Sequence, residues 1–415
     1  MEPGAGGQTL RRKPGFAPMA PARPAARLWI VRNTITAALL AAAMFTLGAV
    51  PAIAEPVTAA ETQLPPLDPA KLTAAIAGLP NDEASGALLQ VRGTQCWQGT
   101  SGVANVHTGQ RVPVDGRFRI GSMTKSFTAT AALQLVARGR LDLHRTVQSY
   151  APDLLPESYD PITIDQLLTY TSGLPGPRID HKDPTWFLAH RFDTWTPRQL
   201  FDLAFYKNGE VVPPLFPPGT EQKYGNIDYL VLGAVIEEVT GRPYGDAIRD
   251  GIIRPLHLTA TTVPGTDTKI RGPHARGYEE QNGSYVDITE ANPTYQWAAA
   301  EMISNAPDLD RFLTALMSGR LLPAKETALL FEIPDVPLYE GGGARAYLGH
   351  GLARLAVADV VFWGKTGDRP GYNNGMAATR DLSRRIVFSV NTLHMGGSSQ
   401  PVVSQKIIAA VAGLT

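Results

Sequence analysis

Between Ser122 and Arg138 runs the stretch SMTKSFTATAALQLVAR, mostly Ala, Leu, Thr, Val and Phe, with hardly a charge after Lys125. A helix without a polar face must be covered on nearly all sides, so this run predicts a central helix with other layers built around it. Gly139 marks its end. A chain of 415 residues, 44% hydrophobic and 18% charged, has the material for such a core.

The first 54 residues differ from the rest. Arg11, Arg12, Lys13, Arg23, Arg27 and Arg32 precede an apolar run from Ile35 to Leu47, and Ala52-Ile53-Ala54 follows as a small-x-small cleavage site. Together these read as a secretory signal peptide with a long basic front. The alternative is a retained membrane anchor, but the run falls short of the roughly 20 residues a spanning helix needs. Arg11-Arg12 lies too far from the apolar run for a twin-arginine signal.

Without that leader the chain loses six basic residues and one acidic one from 38 of each, leaving a net charge of −5. A nucleic-acid partner, which would favour a clustered basic face, is not indicated. The single cysteine, Cys96, cannot form an intramolecular disulfide, so the fold must hold by its core. Beside Trp97 in a strand-like run, it reads as a buried small hydrophobe. The eight histidines are scattered without His-x-His or His-x-x-x-His pairs, so neither a metal site nor a cofactor is expected. No Gly-x-Ser-x-Gly elbow or phosphate-binding glycine loop occurs.

Residues 55–82 are Pro- and Ala-rich and read as a tether or a short helix. Two strand-like runs follow, Ala87–Val91 and Cys96–Asn105, joined by a turn at Gly93 as a hairpin. From about 140 to 320, helical segments alternate with Pro/Gly loops. Strands return at Leu355–Trp363, Gly375–Thr379 and Ile386–Val390, before a last helix at Pro401–Ala412. The expected fold is therefore α/β (α+β): one layer built from both termini, spanning residues 83–415, with a helical region inserted.

Ser122 and Lys125 stand where the strand-like Arg117–Ile120 gives way to the central helix. The first turn of a helix has free N–H groups and the positive end of the dipole. Lys125, one turn on, brings its amine toward the serine oxygen, and burial would depress its pKa until it could accept the serine proton. A serine nucleophile needs such a base. An isolated Ser-x-x-Lys is more often a helix cap and a solvated lysine. Here it is the chain's one such pattern, and the helix offers no solvated face.

The context resembles a known family. RIGSMTKSFTATAALQLVARGRLDL, ITIDQLLTYTSGLP at 162–175, PPGTEQKYGNIDYLVLGAVIEEVTGRPY at 217–244, WAAAEMISNAPDLDRFLTALMSG at 297–319 and WGKTGDRPGYNNG at 363–375 are similar to the serine β-lactamase and penicillin-binding-protein superfamily. The likeness is greatest to secreted D-alanyl-D-alanine carboxypeptidases and class C β-lactamases. The resemblance implies a β-lactamase/transpeptidase-like fold, with an antiparallel sheet flanked by helices.

It also implies roles. The family's Tyr-x-Asn motif has three matches here: Tyr206-Lys207-Asn208, Tyr224-Gly225-Asn226 and Tyr372-Asn373-Asn374. Only the middle one lies between a Pro-Gly loop and a long apolar-periodic helix. Tyr224 would then share a proton with Lys125 and Ser122, and Asn226 would hold the substrate carbonyl and Lys125. Of two matches to the third motif, His107-Thr108-Gly109 precedes the nucleophile, so Lys365-Thr366-Gly367 is preferred. Gly367 would let a substrate backbone approach, and the N–H groups of Ser122 and Asp368 would form the oxyanion hole. Asp368 departs from the small or hydroxylic residue usual in the family, and its carboxylate would repel a substrate carboxylate unless Arg369 or Arg354 neutralises it. Trp297 resembles the family's aromatic wall.

These readings give an expectation of a secreted serine hydrolase working through a Ser122 acyl-enzyme on a small peptide, β-lactam or ester substrate. The leading class is the D-alanyl-D-alanine end of peptidoglycan peptides. A β-lactamase, an esterase, a D-amino-acid amidase or aminopeptidase, and a non-catalytic binding relative are the alternatives. A monomer is expected, held at a membrane only if the leader stays as an anchor.

Overall fold

The computed structural model describes residues 64–395 and 400–414. The expected signal peptide, 1–54, and the first part of the expected tether lie outside the described residues.

Six strands make one antiparallel sheet: β1 (Ala84–Gly93), β2 (Trp97–Gly102), β3 (Ala353–Val357), β4 (Val360–Arg369), β5 (Tyr372–Thr379) and β6 (Arg384–Thr392), in the order β2-β1-β6-β5-β4-β3. Early and late strands meet in its middle, where Leu89 of β1 stands opposite Phe388 of β6. The sheet is therefore built from both ends of the chain, with the helical residues between β2 and β3 forming the inserted layer.

Helices cover both faces. On one, α1 (Pro69–Ala75) and the last helix, α5 (Val402–Val411), pack Leu72, Ala75, Val403 and Ile407 against Ala87, Leu89, Val91, Phe362 and Phe388. On the other, α2 (Thr124–Ala137), α3 (Ile227–Thr240) and α4 (Ala306–Met317) share a larger core with Leu88, Trp363, Met376 and Val387. Phe127 of α2 stacks on Phe312 of α4 at 3.7 Å between ring centroids. A strand buried on both faces has no polar side, so Ala87-Leu88-Leu89 reads as a continuous apolar run. Within 55–82, residues 69–75 take the short-helix form. Asp68 caps it by accepting from the N–H of Ala70, Pro69 opens its first turn, and Leu72 is fully buried.

The central helix forms as its composition demands. After a 3₁₀ turn at Gly121–Met123, every residue of α2 from Thr124 to Leu135 is buried. Two expectations need correction. Leu355–Trp363 is not one strand: the chain reverses at Ala358, φ 49°, so β3 and β4 are a hairpin whose turn lacks a glycine signal. Cys96 is exposed in the turn before β2 rather than buried, because the strand starts one residue later, at Trp97.

Candidate active site

Ser122 sits in the 3₁₀ turn, and Lys125 is the second residue of α2, so one helical turn brings Lys125 Nζ to 3.1 Å from Ser122 Oγ. The amine donates to Asn226 Oδ1 at 2.6 Å and to the Ala299 carbonyl at 3.0 Å. Those two acceptors use the two hydrogens of a neutral amine and leave its lone pair toward Ser122. Lys125 is fully buried, and this desolvation, with Lys365 adding repulsion, holds its pKa well below the ordinary lysine value. The site can therefore hold the neutral amine that a base requires.

Tyr224 arrives on the loop before α3 and donates its hydroxyl to Ser122 Oγ at 2.6 Å. On its other side Lys365 Nζ stands 3.5 Å from the same hydroxyl and 4.5 Å from the ring centroid. Tyr224 as a residue is 40% exposed, but its hydroxyl end lies between these groups, and desolvation there pushes its pKa above that of a free phenol. The phenol is thus a proton donor at neutral pH, not a base. Burial lowers Lys365 to about 8, against the opposing pull of Asp368.

Two glycines let the chain segments around the nucleophile meet. Gly121 has φ +55°, and a side-chain carbon there would lie 2.6 Å from the Asp368 carbonyl oxygen and 2.8 Å from its nitrogen. A carbon on Gly367 would lie 2.0 Å from the Ile120 carbonyl and 2.9 Å from the Ser122 nitrogen. The main-chain nitrogens of Ser122 and Asp368 are thereby brought to one place, as an oxyanion hole requires. Beside them β4 has a free edge: β3 pairs with it only as far as Gly364, and among the described residues no strand pairs with Lys365 to Arg369 on that side. An extended substrate can lie along such an edge.

Strand alternation fixes which way the β4 side chains point. Trp363 belongs to the core shared with α2 and Phe362 to the core shared with α5, so Lys365, Gly367 and Arg369 face the nucleophile while Thr366 and Asp368 face away. The expected repulsion from Asp368 is corrected by this. Its carboxylate accepts from Asn373 Nδ2 across the strand pair, and Asn373 Oδ1 in turn accepts from Ser404 Oγ of α5 at 2.6 Å. Of the motif lysine's neighbours, Thr366 offers its carbonyl to Lys365 Nζ at 3.2 Å.

Two other candidates are not brought to the nucleophile. Trp297, expected as a cleft wall, packs edge-on to Tyr244 at 5.0 Å and against Gly233 of α3. It faces the helical layer because its short helix is anchored by Ala298 on that glycine. Arg354 stands opposite Trp363 on the edge strand, exposed, its main chain bonded to Tyr347. The decoy motifs lie elsewhere: Tyr206-Lys207-Asn208 in a two-strand hairpin, Tyr372-Asn373-Asn374 inside β5.

Three site groups were not legible from motifs. The Ala299 carbonyl is main chain and has no side-chain signature. Asp228, two residues after Asn226, is buried beneath the site, accepts from Ser172 Oγ at 2.5 Å, and is pushed up to about 7 by desolvation. Tyr229 places its ring 5.9 Å from Lys125 Nζ. The charged spacing Asn-x-Asp was the available signal for Asp228.

Comparison with known proteins agrees with this geometry. A family model described as Beta-lactamase matches residues 72–403. The D-stereospecific amidohydrolase from Streptomyces sp. is 35% identical, with a TM-score of 0.71 over 83% of this chain and 98% of that one. The D-amino acid amidase from Ochrobactrum anthropi SV3 is 25% identical, with a TM-score of 0.70 and the same coverage. Protein flp from Staphylococcus aureus is 30% identical over 48% of this chain and 38% of its own length, so the chain spans well under half of that curated relative. The fold, the match across most of the chain and the serine–lysine–tyrosine cluster together place the chain in the beta-lactamase family of serine hydrolases.

Proposed function

We propose that the chain hydrolyses an amide bond that follows a D-amino acid residue, through an acyl-enzyme on Ser122. The observation that supports this most is the continuous hydrogen-bonded set Lys365–Tyr224–Ser122–Lys125, beside two main-chain N–H groups and a free strand edge. The likeness to a D-stereospecific amidohydrolase over 83% of the chain supports the substrate class.

The steps follow from the protons. The scissile carbonyl enters between the Ser122 and Asp368 nitrogens. Ser122 Oγ attacks as its proton passes to the lone pair of Lys125, and the negative oxygen formed is met by the two N–H groups. Tyr224, protonated and against Ser122 Oγ, gives its proton to the leaving nitrogen and is restored from Lys125. Water then enters where the amine left, loses its proton to the same pair, and frees Ser122.

A second reading is a D-alanyl-D-alanine carboxypeptidase, in which the leaving group carries a carboxylate. Lys365, buried and facing the site, favours it. The test is kcat/KM on D- and L-phenylalanine amide and on an acetylated D-Ala-D-Ala dipeptide. Turnover of the D-amide with little on the L-amide supports the first reading, and dipeptide preferred over amide supports the second. Equal rates on D and L would overturn both.

A further inference from the structure

Beyond the oxyanion hole the same face of β4 carries a charge with no ion pair or hydrogen bond among the described residues. Arg369 is 5% exposed, and its Nε, Nη1 and Nη2 have no hydrogen-bond partner among the described residues. Its guanidinium lies over the ring of Tyr295 at 4.7 Å, and the buried Tyr295 hydroxyl is also without a partner. Arg119, 2% exposed, binds the carbonyls of Thr268, Thr289 and Ala291 through Nε and Nη2, but its Nη1 binds nothing.

Arg119 lies against the same part of β4: Asn374 of β5, opposite Gly367, donates to the Arg119 carbonyl at 2.8 Å, and Arg119 is held down to about 10 by burial and then by the charge of Arg369. Among the described residues no acid forms an ion pair with either, and Asp267 and Glu301 act on them only through space. Asp267 is committed to Arg271, Glu301 takes the Tyr244 hydroxyl and burial raises it to about 7, and neither forms an ion pair with either arginine. His181, whose pKa burial and Arg369 both lower, adds no negative charge. Two buried guanidinium groups with no ion pair among the described residues, one of them with no hydrogen bond at all, are costly, and an anion seated against them would offset that cost.

Position says whose anion. Arg369 and Lys365 lie two residues to either side of Gly367, each about 7 Å from it along the strand. They flank the place where the carbonyl reacts. With Lys365 on the leaving-group side, Arg369 lies on the acyl side.

We infer that Arg369, Arg119 Nη1 and the Tyr295 hydroxyl form a site for one anionic oxygen group, supplied by a carboxylate on the acyl portion of the substrate. The substrate assignment rests on the amide-hydrolase reading. It makes the preferred substrate a D-residue amide acylated with an acidic group, turned over faster than the same amide with a free α-ammonium. The same chemistry could bind a free inorganic oxyanion.

The experiment has two arms. In the first, N-succinyl-D-phenylalanine amide is compared with its neutral isostere, N-succinamoyl-D-phenylalanine amide. Hydrogen bonds to a charge predict a preference for the acid of about 10- to 100-fold in kcat/KM, which collapses toward one in Arg369→Met and is partly kept in Arg369→Lys. In the second, sodium sulfate is added to the Ser122→Ala protein, with sodium chloride at matched ionic strength as control. Sulfate should raise the melting temperature, and Arg369→Met should remove the effect. No sulfate effect, or an unchanged acid-to-neutral ratio in folded Arg369→Met, overturns the site. Sulfate binding with no acid preference in the unmutated protein overturns the substrate assignment, leaving a free-anion site. If neither amide is turned over, the amide-hydrolase reading fails, and the sulfate arm still decides whether the site binds anions. Should Arg369→Met not fold, competition of sulfate against the succinyl but not the succinamoyl substrate supports the site, and equal effects on both overturn it.

Discussion

Asn226 Oδ1 takes a hydrogen from Lys125 Nζ at 2.6 Å, closer than the 3.1 Å between that amine and Ser122 Oγ, and it is this contact that turns the lone pair of the lysine toward the serine. Asn226→Ala should therefore cost acylation without touching substrate contacts on β4. A loss of about 10²-fold in the acylation rate is expected, the lower end of what positioned proton transfer contributes. Single-turnover kinetics with a chromogenic ester would measure it.

Lys125 and Tyr224 serve one proton path through Ser122 Oγ. Lys125→Ala and Tyr224→Phe should each lower acylation by about 10²–10⁴-fold, and the double variant should be little worse than the worse single one. Losses that multiply would mean that the two groups act independently.

The pH profile follows from two buried amines. Lys125 must be neutral to accept a proton, so activity rises with pH as it passes its lowered pKa and then levels. Lys365 must be charged to hold a carboxylate, so for substrates with a carboxylate on the leaving group kcat/KM should fall as pH rises through about 8. Neutral substrates should lack the alkaline fall, and Lys365→Met should abolish it. A profile of the same shape for both substrate types would contradict these assignments.

Asp228 gives a stability prediction of definite sign. Its pKa is raised from 3.8 to about 7 in the folded protein. Between those values the folded chain keeps a proton that the unfolded chain has lost, so stability should decline as pH rises through that window. Asp228→Asn, which stays neutral and can still accept from Ser172, should flatten that part of the melting-temperature profile.

The direction of Asp368 was present in the sequence as arithmetic. Lys365 faces the nucleophile, and a residue three positions along a strand faces the other way, so Asp368 could have been assigned to the α5 face without coordinates. Ser122 and Lys125 were legible because a charge at the head of an otherwise uncharged helix has few explanations, and the sheet from both termini because the apolar runs at each end needed partners. What was not legible depends on contacts between distant segments. The Ala299 carbonyl lies 174 positions from Lys125. Trp297 faces α3 because Gly233 admits it. The reversal at Ala358 has only Asp359, and no glycine, to announce it. Asp368→Thr should accordingly change the ratio of carboxylate to neutral substrates by less than about threefold, as for a side chain away from the cleft.

Gly367 tests the oxyanion hole through the backbone alone. Alanine there would place a carbon 2.0 Å from the Ile120 carbonyl and must push β4 away from Ser122. Since losing one oxyanion donor costs about 10²–10³-fold in kcat, Gly367→Ala should lose at least that much.

The central claim is that Ser122 carries the acyl group of a D-configured substrate. Intact mass measured at intervals after mixing with D- or L-phenylalanine p-nitrophenyl ester, followed by peptide mapping, tests it most directly. The account predicts a transient phenylalanyl adduct on Ser122 with the D-ester, little with the L-ester, and none in a folded Ser122→Ala protein. An adduct on another residue, or one that persists in Ser122→Ala, would contradict it.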